Sequence, residues 1–275
     1  MCIRDSYCGS LAPNLANRIY AEPQVIPGLK DVTAISQSSS GAIARDKSGS
    51  VYYWGSNGNP QLQDGVSCDT AKWQHSRIQK TSVANAVETW AAGNNFFALT
   101  ADGTVLGWGE GFAGLLGNSD GQATDFLRGP AIDNPTPVPG LGKVRQLAFL
   151  ELTAFALQVD GTVLGWGEDD RKLLGNGTQK RTPRPTAVPG LTGISNMVAA
   201  SGGMRLQKPD GSMLAWGEGP QGVFPRAYYN TPTPVTPPQK LRHIISRNAG
   251  YTVFYESGVV SRDVGDAMDV SPNFR

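Results

Sequence analysis

Three glutamates stand at the same place in a repeated stretch of sequence, directly after the dipeptide Trp-Gly: Glu110, Glu168 and Glu218. Carboxylates that converge on one point bind cations and shift one another's pKa values. One hypothesis is therefore a cation-dependent or hydrolytic site formed by a ring of glutamates at one rim of the fold. The alternative is that they are solvated residues at strand ends, repeated because the unit was duplicated. We favour the alternative and expect no catalytic residue, no metal and no cofactor.

Two segments match the glycine pattern of dinucleotide-binding loops, Gly109–Gly114 and Gly217–Gly222. Such a loop binds a pyrophosphate only when a strand precedes it and a helix begins at its end. Neither match is followed by a helical pattern of apolar residues, and Pro220 interrupts the second one. These glycines therefore predict tight turns.

The longest departures from the repeated pattern are residues 59–80 and 117–137. Loops on a rigid scaffold often carry function, and an aromatic side chain flanked by cations is typical of a protein-contact anchor. Trp73 could instead pack onto its own repeat, or the cations could bind nucleic acid, although a net charge of +1 argues against the latter. The candidate partner-binding residues are Lys72, Trp73, His75 and Arg77 in the first loop, and Phe126 and Arg128 in the second.

These candidates are positioned by a repeat with a period of about 50 residues, which is typical of propellers and other arrays. The clearest copies are Phe97–Glu110 and Phe155–Glu168, with weaker copies at 48–55 and 210–218. A fifth copy, at 257–263, has Asp263 where the others have tryptophan. We predict that the repeated tryptophans pack between neighbouring units. The residues predicted to be structural are Trp54, Trp108, Trp166, Trp216, Gly103, Gly161 and Gly211.

Within each copy, Asp-Gly between two β-prone runs predicts a hairpin turn with positive φ at both central residues. A strand before the hairpin and a proline-rich edge strand after it complete a sheet of three or four antiparallel strands. Radial repetition of such sheets makes a β-propeller. We therefore predict an all-β propeller of about five visible blades, four complete and one partial at each end.

The motifs resemble the regulator of chromosome condensation repeat family. Asp-Gly-Thr-Val-Leu-Gly-Trp-Gly-Glu at 160–168 is followed by Leu-Leu-Gly at 173–175 and Pro-Gly-Leu at 189–191, in the order that the family shows. The resemblance implies a propeller that usually has seven blades. It also implies guanine-nucleotide exchange on a small GTPase or chromatin binding, an activity of the eukaryotic member that we do not expect here. The sequence departs from the family at Asn95 and Gly203, where the family often has histidine.

The chain divides into repeat units at about 25–80, 81–139, 140–189, 190–237 and 238–275, with 7–24 read as the end of a preceding unit. Residues 1–6, Met-Cys-Ile-Arg-Asp-Ser, resemble a translated sequencing adapter and are predicted to be a library scar. We expect residues 7–275 to form a single propeller domain or a fragment of a larger ring.

The function predicted from these features is that of a non-catalytic scaffold that binds another protein through loops on one face. We expect no nucleic-acid partner, no membrane span, and a monomer if the ring closes. Low charge content, abundant Gly and Asn and scarce Cys favour an extracellular or cell-surface bacterial protein. The partner's identity does not follow from the sequence.

Overall fold

The computed structural model describes residues 26, 28–38, 41–55, 78–111, 113–118, 131–169, 171–200, 202–217, 229–236, 241–247, 250–258, 260–263 and 268–271. In these ranges the chain forms strands and turns, and none of the described residues lies in a helix. The strands make five four-stranded sheets, each built from four consecutive strands. The prediction of an all-β fold with about five repeated sheets is confirmed.

The strands of each sheet follow one another in chain order. The first sheet contains β1 (Val32–Gln37), β2 (Gly41–Asp46), β3 (Val51–Gly55) and β4 (Gln79–Lys80). The second contains β5 (Ala86–Ala92), β6 (Asn95–Thr100), β7 (Val105–Gly109) and β8 (Ile132–Pro137). The third contains β9 (Val144–Leu150), β10 (Thr153–Gln158), β11 (Val163–Gly167) and β12 (Thr182–Ala187).

The fourth sheet contains β13 (Asn196–Ala200), β14 (Gly203–Gln207), β15 (Met213–Gly217) and β16 (Tyr229–Val235). The fifth contains β17 (Leu241–Arg247), β18 (Gly250–Tyr255), β19 (Val260–Asp263) and β20 (Met268–Ser271). The sequence indicates only three strands in this last sheet. β20 was missed because it lacks the prolines that mark β8, β12 and β16.

The chain forms two compact units, Met1–Pro139 and Gly140–Arg275. The first unit contains the first two sheets, in which β1 and β5 run side by side. The second unit contains the other three sheets, in which β9 lies beside β13 and β13 beside β17. In both units, therefore, neighbouring sheets meet along their first strands.

The core of the first unit is an aromatic cluster between its two sheets. Tyr53 of β3 packs against Phe96 of β6 and Trp108 of β7, with ring centroids 5.3 and 5.8 Å away. Ile43 of β2 belongs to the same buried cluster. Trp54 is also buried, but it packs with Ala42 and Ala44 in a separate cluster of the first sheet.

The core of the second unit contains a matching contact between its third and fourth sheets. The rings of Phe155 and Trp216 lie 5.7 Å apart at an angle of 66°, and the Trp216 indole N–H donates to the carbonyl of Leu173 at 2.5 Å. Gly175 has a positive φ, and a Cβ atom there would lie 2.7 Å from the Trp216 ring. The Leu-Leu-Gly element therefore lets the backbone approach the indole of the next sheet. Trp166 is fully buried as well.

The glycine hairpins differ from the prediction in their turn type. Gly103, Gly161 and Gly211 have φ of 84°, 84° and 85°, whereas the preceding aspartates are not among the residues with positive φ. The amide of Gly103 donates to the carbonyl of Thr100 at 2.9 Å, and the same bond recurs at Gly161 and Gly211. A three-residue loop with a type I turn followed by a left-handed glycine has this geometry. Only the glycine therefore needs positive φ.

Candidate interaction surface

The order of the strands places two kinds of connection at opposite ends of every sheet. Because neighbouring strands are antiparallel, the turn between the first and second strands and the loop between the third and fourth share one end, which we call the loop end. The glycine hairpin lies at the other end, which we call the hairpin end. Each long departure from the repeat begins after a third strand and runs to the end of the fourth: 59–80 follows β3 and includes β4, and 117–137 follows β7 and includes β8.

The six residues predicted to bind a partner lie outside the described residues. Lys72, Trp73, His75 and Arg77 fall in 56–77, between β3 and β4, and Phe126 and Arg128 fall in 119–130, between β7 and β8. Glu218, the third member of the proposed glutamate ring, also lies outside the described ranges. These assignments stay predictions.

Glu110 lies at the loop end of the second sheet and is only 4% exposed. Its carboxylate accepts a hydrogen bond from the Asn94 side-chain amide at 2.7 Å, and its own amide donates to the Asn94 carbonyl at 3.1 Å. The neighbouring Asn95 is fully buried and accepts from the amide of Gly111 at 2.9 Å. The short turn between β5 and β6 thus holds the start of the loop after β7.

Glu168 occupies the corresponding position in the third sheet, where it forms an ion pair with Arg181 at 3.5 Å. The side chains of the two residues are 13% and 19% exposed. The expectation that these glutamates are solvated is therefore wrong for both Glu110 and Glu168. Each of these carboxylates is bound by a polar group of its own sheet, Asn94 for Glu110 and Arg181 for Glu168.

Asp169 organises the loop that follows β11. It is 1% exposed, and its carboxylate accepts from the amide of Leu174 at 2.8 Å, while its carbonyl accepts from the amide of Lys172 at 3.0 Å. A buried carboxylate that accepts backbone N–H groups fixes a turn. In the sequence it is one of three adjacent acidic residues at 168–170, and their charge alone does not show which one is buried.

The outer rim of this loop end carries exposed charges of both signs. Arg171 forms an ion pair with Glu151 at 2.7 Å, with 65% and 43% of their side chains exposed. Lys180 is also exposed, and Lys172 is half-buried with a φ of 57°. The rim therefore presents cations on a loop whose base is buried.

A chain of local hydrogen bonds orders the rest of the loop. The Asn176 side chain accepts from the amide and the hydroxyl of Thr178, at 2.9 and 2.8 Å. The amide of Gly177 donates to the carbonyl of Asn230 in β16, at 3.2 Å. The loop end of the third sheet is thus tied to the outer strand of the fourth.

The hairpin ends carry aspartates whose carboxylates accept hydrogen bonds from their own turns. The Ser48 hydroxyl, with further bonds from Ser50 and Tyr52, lowers the pKa of Asp46. The amide and hydroxyl of Thr162 lower the pKa of Asp160, and the Ser212 hydroxyl and amide lower the pKa of Asp210. These carboxylates are engaged in turn structure, so they have a structural role.

The described residues show no arrangement for metal chemistry. Among them, no group of three or more His, Cys, Asp or Glu side chains could hold a metal ion.

A cleft of about 420 Å³ lies at the hairpin end of the second sheet, lined in part by Asn85, Thr100 and Asp102. None of the described residues belongs to a helix long and apolar enough to cross a membrane.

Comparison with known proteins places this architecture in a class. The chain superimposes on yeast RCC1 (Prp20) bound to Kap60 with a TM-score of 0.70 and 19% identity, covering 94% of this chain and 62% of Prp20. Human WBSCR16 gives a TM-score of 0.65 and 22% identity, covering 88% of this chain and 63% of that one. With five repeated four-stranded sheets, the fold is that of a β-propeller.

Within that class, one segment of the chain matches a described repeat family. Residues 160–205, from the hairpin of the third sheet to β14, match the Regulator of chromosome condensation (RCC1) repeat. Protein pim1 of Schizosaccharomyces pombe is 29% identical over 149 residues, which cover 54% of this chain and 27% of pim1. The mouse E3 ubiquitin-protein ligase HERC2 is 29% identical over 172 residues, 58% of this chain and 3% of HERC2. This chain thus spans a minor part of either relative, and the predicted family resemblance is confirmed.

Proposed function

We propose that this chain is a non-catalytic scaffold that binds another protein through the loop ends of its sheets. The observation that carries this proposal is the loop end of the third sheet, where exposed Arg171 and Lys180 stand on a loop held by the buried Asp169. A preordered loop loses little conformational entropy on binding, so its contacts contribute more fully to affinity.

The charges of this rim favour a protein partner over nucleic acid. On the exposed rim Arg171 is paired with Glu151, and the largely buried Arg181 is paired with Glu168, so the cations of this loop end lie beside carboxylates. A nucleic-acid surface needs cations clustered without interspersed carboxylates, because each phosphate contact releases counterions. Mixed charges at a rim instead set the specificity and the association rate of protein complexes.

The relatives supply the partner class to test first. The solved structure of Prp20 from Saccharomyces cerevisiae is described with its binding to Gsp1p and histones, and it matches this chain with a TM-score of 0.69 at 19% identity. A fold match at this identity does not transfer a partner. Histones and Gsp1p are therefore probes for the proposal, and nucleotide exchange is the alternative that the same experiment examines.

The test measures binding of fluorescently labelled histones and of labelled Gsp1p to three forms of the full chain. These are the unmodified chain, a loop-end variant Arg171→Gln/Lys180→Gln, and a matched hairpin-end control, Lys143→Gln/Lys208→Gln, which removes the same number of charges. We expect the loop-end variant to weaken binding by about tenfold, or about 1.4 kcal/mol, and the control to leave it within about twofold.

Three outcomes would contradict the proposal or its first partner class. Equal weakening by both variants would show that net charge, not the loop end, governs binding. Absence of binding to either probe would reject this partner class. Release of a labelled guanine nucleotide from Gsp1p, measured in the same samples, would favour the exchange activity over a scaffold without activity.

A further inference from the structure

Arg205 is a buried cation at a position where the first three sheets have apolar side chains. It is 3% exposed, and its guanidinium donates to the carbonyls of Met204 at 2.7 Å and Trp216 at 3.3 Å. In β10 the corresponding residue is Phe155, since Phe155 and Arg205 each pair with the residue that precedes the tryptophan of the next strand. A buried cation costs free energy unless an anion and hydrogen bonds compensate it.

Strand alternation shows which neighbouring sheet this position faces. Met204 and Leu206 belong to the core cluster between the third and fourth sheets. Because successive residues of a strand face opposite sides, Arg205 lies on the other side of the fourth sheet, toward the fifth. The two sheets are neighbours, since β13 runs beside β17.

The position that opposes Arg205 in the fifth sheet follows from the two described junctions. In the second unit, Phe155 of the third sheet contacts Trp216 of the fourth. In the first unit, Ile43 and Trp108 share one buried cluster in the same way. In each junction, the middle residue of a second strand belongs to the same buried cluster as the tryptophan of the next sheet's third strand.

In the fifth sheet, the register places Asp263 at the tryptophan position. Arg262 pairs with Thr252, and Gly250 pairs with Arg247 as Gly203 pairs with Ala200. Asp263, the residue after Arg262, is therefore equivalent to Trp216. Both partners of the aromatic contact are thus replaced together, one by a cation and the other by an acidic residue.

We propose that positions 205 and 263 form a charge lock that docks the fifth sheet onto the fourth, in place of the apolar and aromatic contacts of the other junctions. A charge pair of this kind specifies its partner more strictly than an apolar contact does, because either charge alone is unfavourable when buried. The lock therefore distinguishes this junction from the others and directs which sheet docks against β14.

The experiment is a double-mutant cycle on the full chain, read by hydrogen exchange of the β18 and β19 amides. Arg205→Phe and Asp263→Trp are made singly and together, because the double variant recreates the Phe–Trp pair of the preceding junction. Each single variant is expected to raise the exchange rates about tenfold. The double variant is expected to return them to within about threefold of the original, since coupled residues give non-additive effects.

Controls and a second cycle keep the result decisive. Arg184→Met removes an exposed arginine of β12 and is expected to change the exchange rates of the fifth sheet less than about twofold. Should the bulky Asp263→Trp prevent folding, the cycle Arg205→Met and Asp263→Asn tests the same coupling. Multiplicative effects in the double variant, or equal loss of protection in β10 and β18, would overturn the proposal.

Discussion

The contact between Trp216 and the Leu-Leu-Gly element shows what single residues contribute to a junction between sheets. The indole N–H of Trp216 donates to the Leu173 carbonyl, and Gly175 lies directly against the ring. Trp108 is equally buried, but its indole N–H has no hydrogen-bond acceptor among the described residues. The two tryptophans therefore occupy equivalent positions but differ in whether the indole N–H makes a hydrogen bond.

This difference gives a prediction for matched substitutions. Trp216→Phe leaves the Leu173 carbonyl without its donor, whereas Trp108→Phe removes a buried N–H that makes no such bond. Because an unsatisfied buried group costs about 1–3 kcal/mol, we expect Trp216→Phe to lower the free energy of unfolding by about that much more than Trp108→Phe. Chemical denaturation of the two variants measures it. Equal losses would contradict the role of the hydrogen bond.

At this scale the sequence predicted the repeated residues better than the polar ones. Burial of the tryptophans follows from their fixed place in an apolar unit. The burial of Glu110 and Glu168 does not, because it depends on Asn94 and Arg181, which reach the carboxylates through the folded loop. Such partners are distant in the sequence, so they cannot be identified from it. A glutamate that follows a strand is therefore predicted to be solvated.

The outer strands show how whole elements are protected at their edges. The amides of Val138 and Val188 donate to the neighbouring strands β7 and β11. Because backbone N–H groups alternate in direction along a strand, the N–H positions of the adjacent residues point away from the sheet, toward its open edge. Pro135, Pro137 and Pro185 stand at outward positions, where an N–H would otherwise be open to an added strand. The carbonyl before each Pro-Thr accepts a threonine hydroxyl, at 2.8, 2.9 and 3.0 Å in β8, β12 and β16.

A prediction at the scale of elements is that these prolines limit self-association. Pro232→Thr/Pro234→Thr in β16 restores two backbone donors at the edge of the fourth sheet, so we expect faster aggregation on concentration. Size-exclusion chromatography with light scattering measures it. Pro189→Thr, in an exposed connector turn, is the matched control and is expected to remain unchanged. Aggregation of both variants alike would mean that proline content, not the strand edge, matters.

The elements themselves were predictable because their signals are local. Asp-Gly marks the hairpins and proline marks three of the outer strands. The turn type was wrong because Asp-Gly also fits a three-residue loop in which the glycine alone has positive φ. Likewise, nothing local marks β20 as a strand, and its place depends on pairing with β19.

For the whole molecule, the hairpin aspartates couple folding to pH. Asp46, Asp160 and Asp210 each have a lowered pKa in the folded chain, caused mainly by a serine hydroxyl, a threonine amide and a serine hydroxyl, respectively. In the unfolded chain an aspartate titrates near about 3.9. Because the pKa is lower in the folded chain, the unfolded chain binds protons at a higher pH than the folded chain does. The stabilisation is therefore fully present above the unfolded pKa. It is lost as pH falls through the folded pKa values.

We therefore expect the melting temperature to be nearly constant from about pH 5 to 7 and to fall below about pH 4. The variant Ser48→Ala/Thr162→Ala/Ser212→Ala removes the three hydroxyls while keeping the aspartates and the turn glycines. Its melting temperature should be lower at pH 6, and its further decrease toward pH 2 should be smaller, because less of its stability depends on ionised aspartates. Calorimetry across this range measures both quantities. An unchanged slope in the variant would show that the acid loss arises from other carboxylates, and that the repeated turns set the geometry of each sheet without setting the pH range of the whole fold.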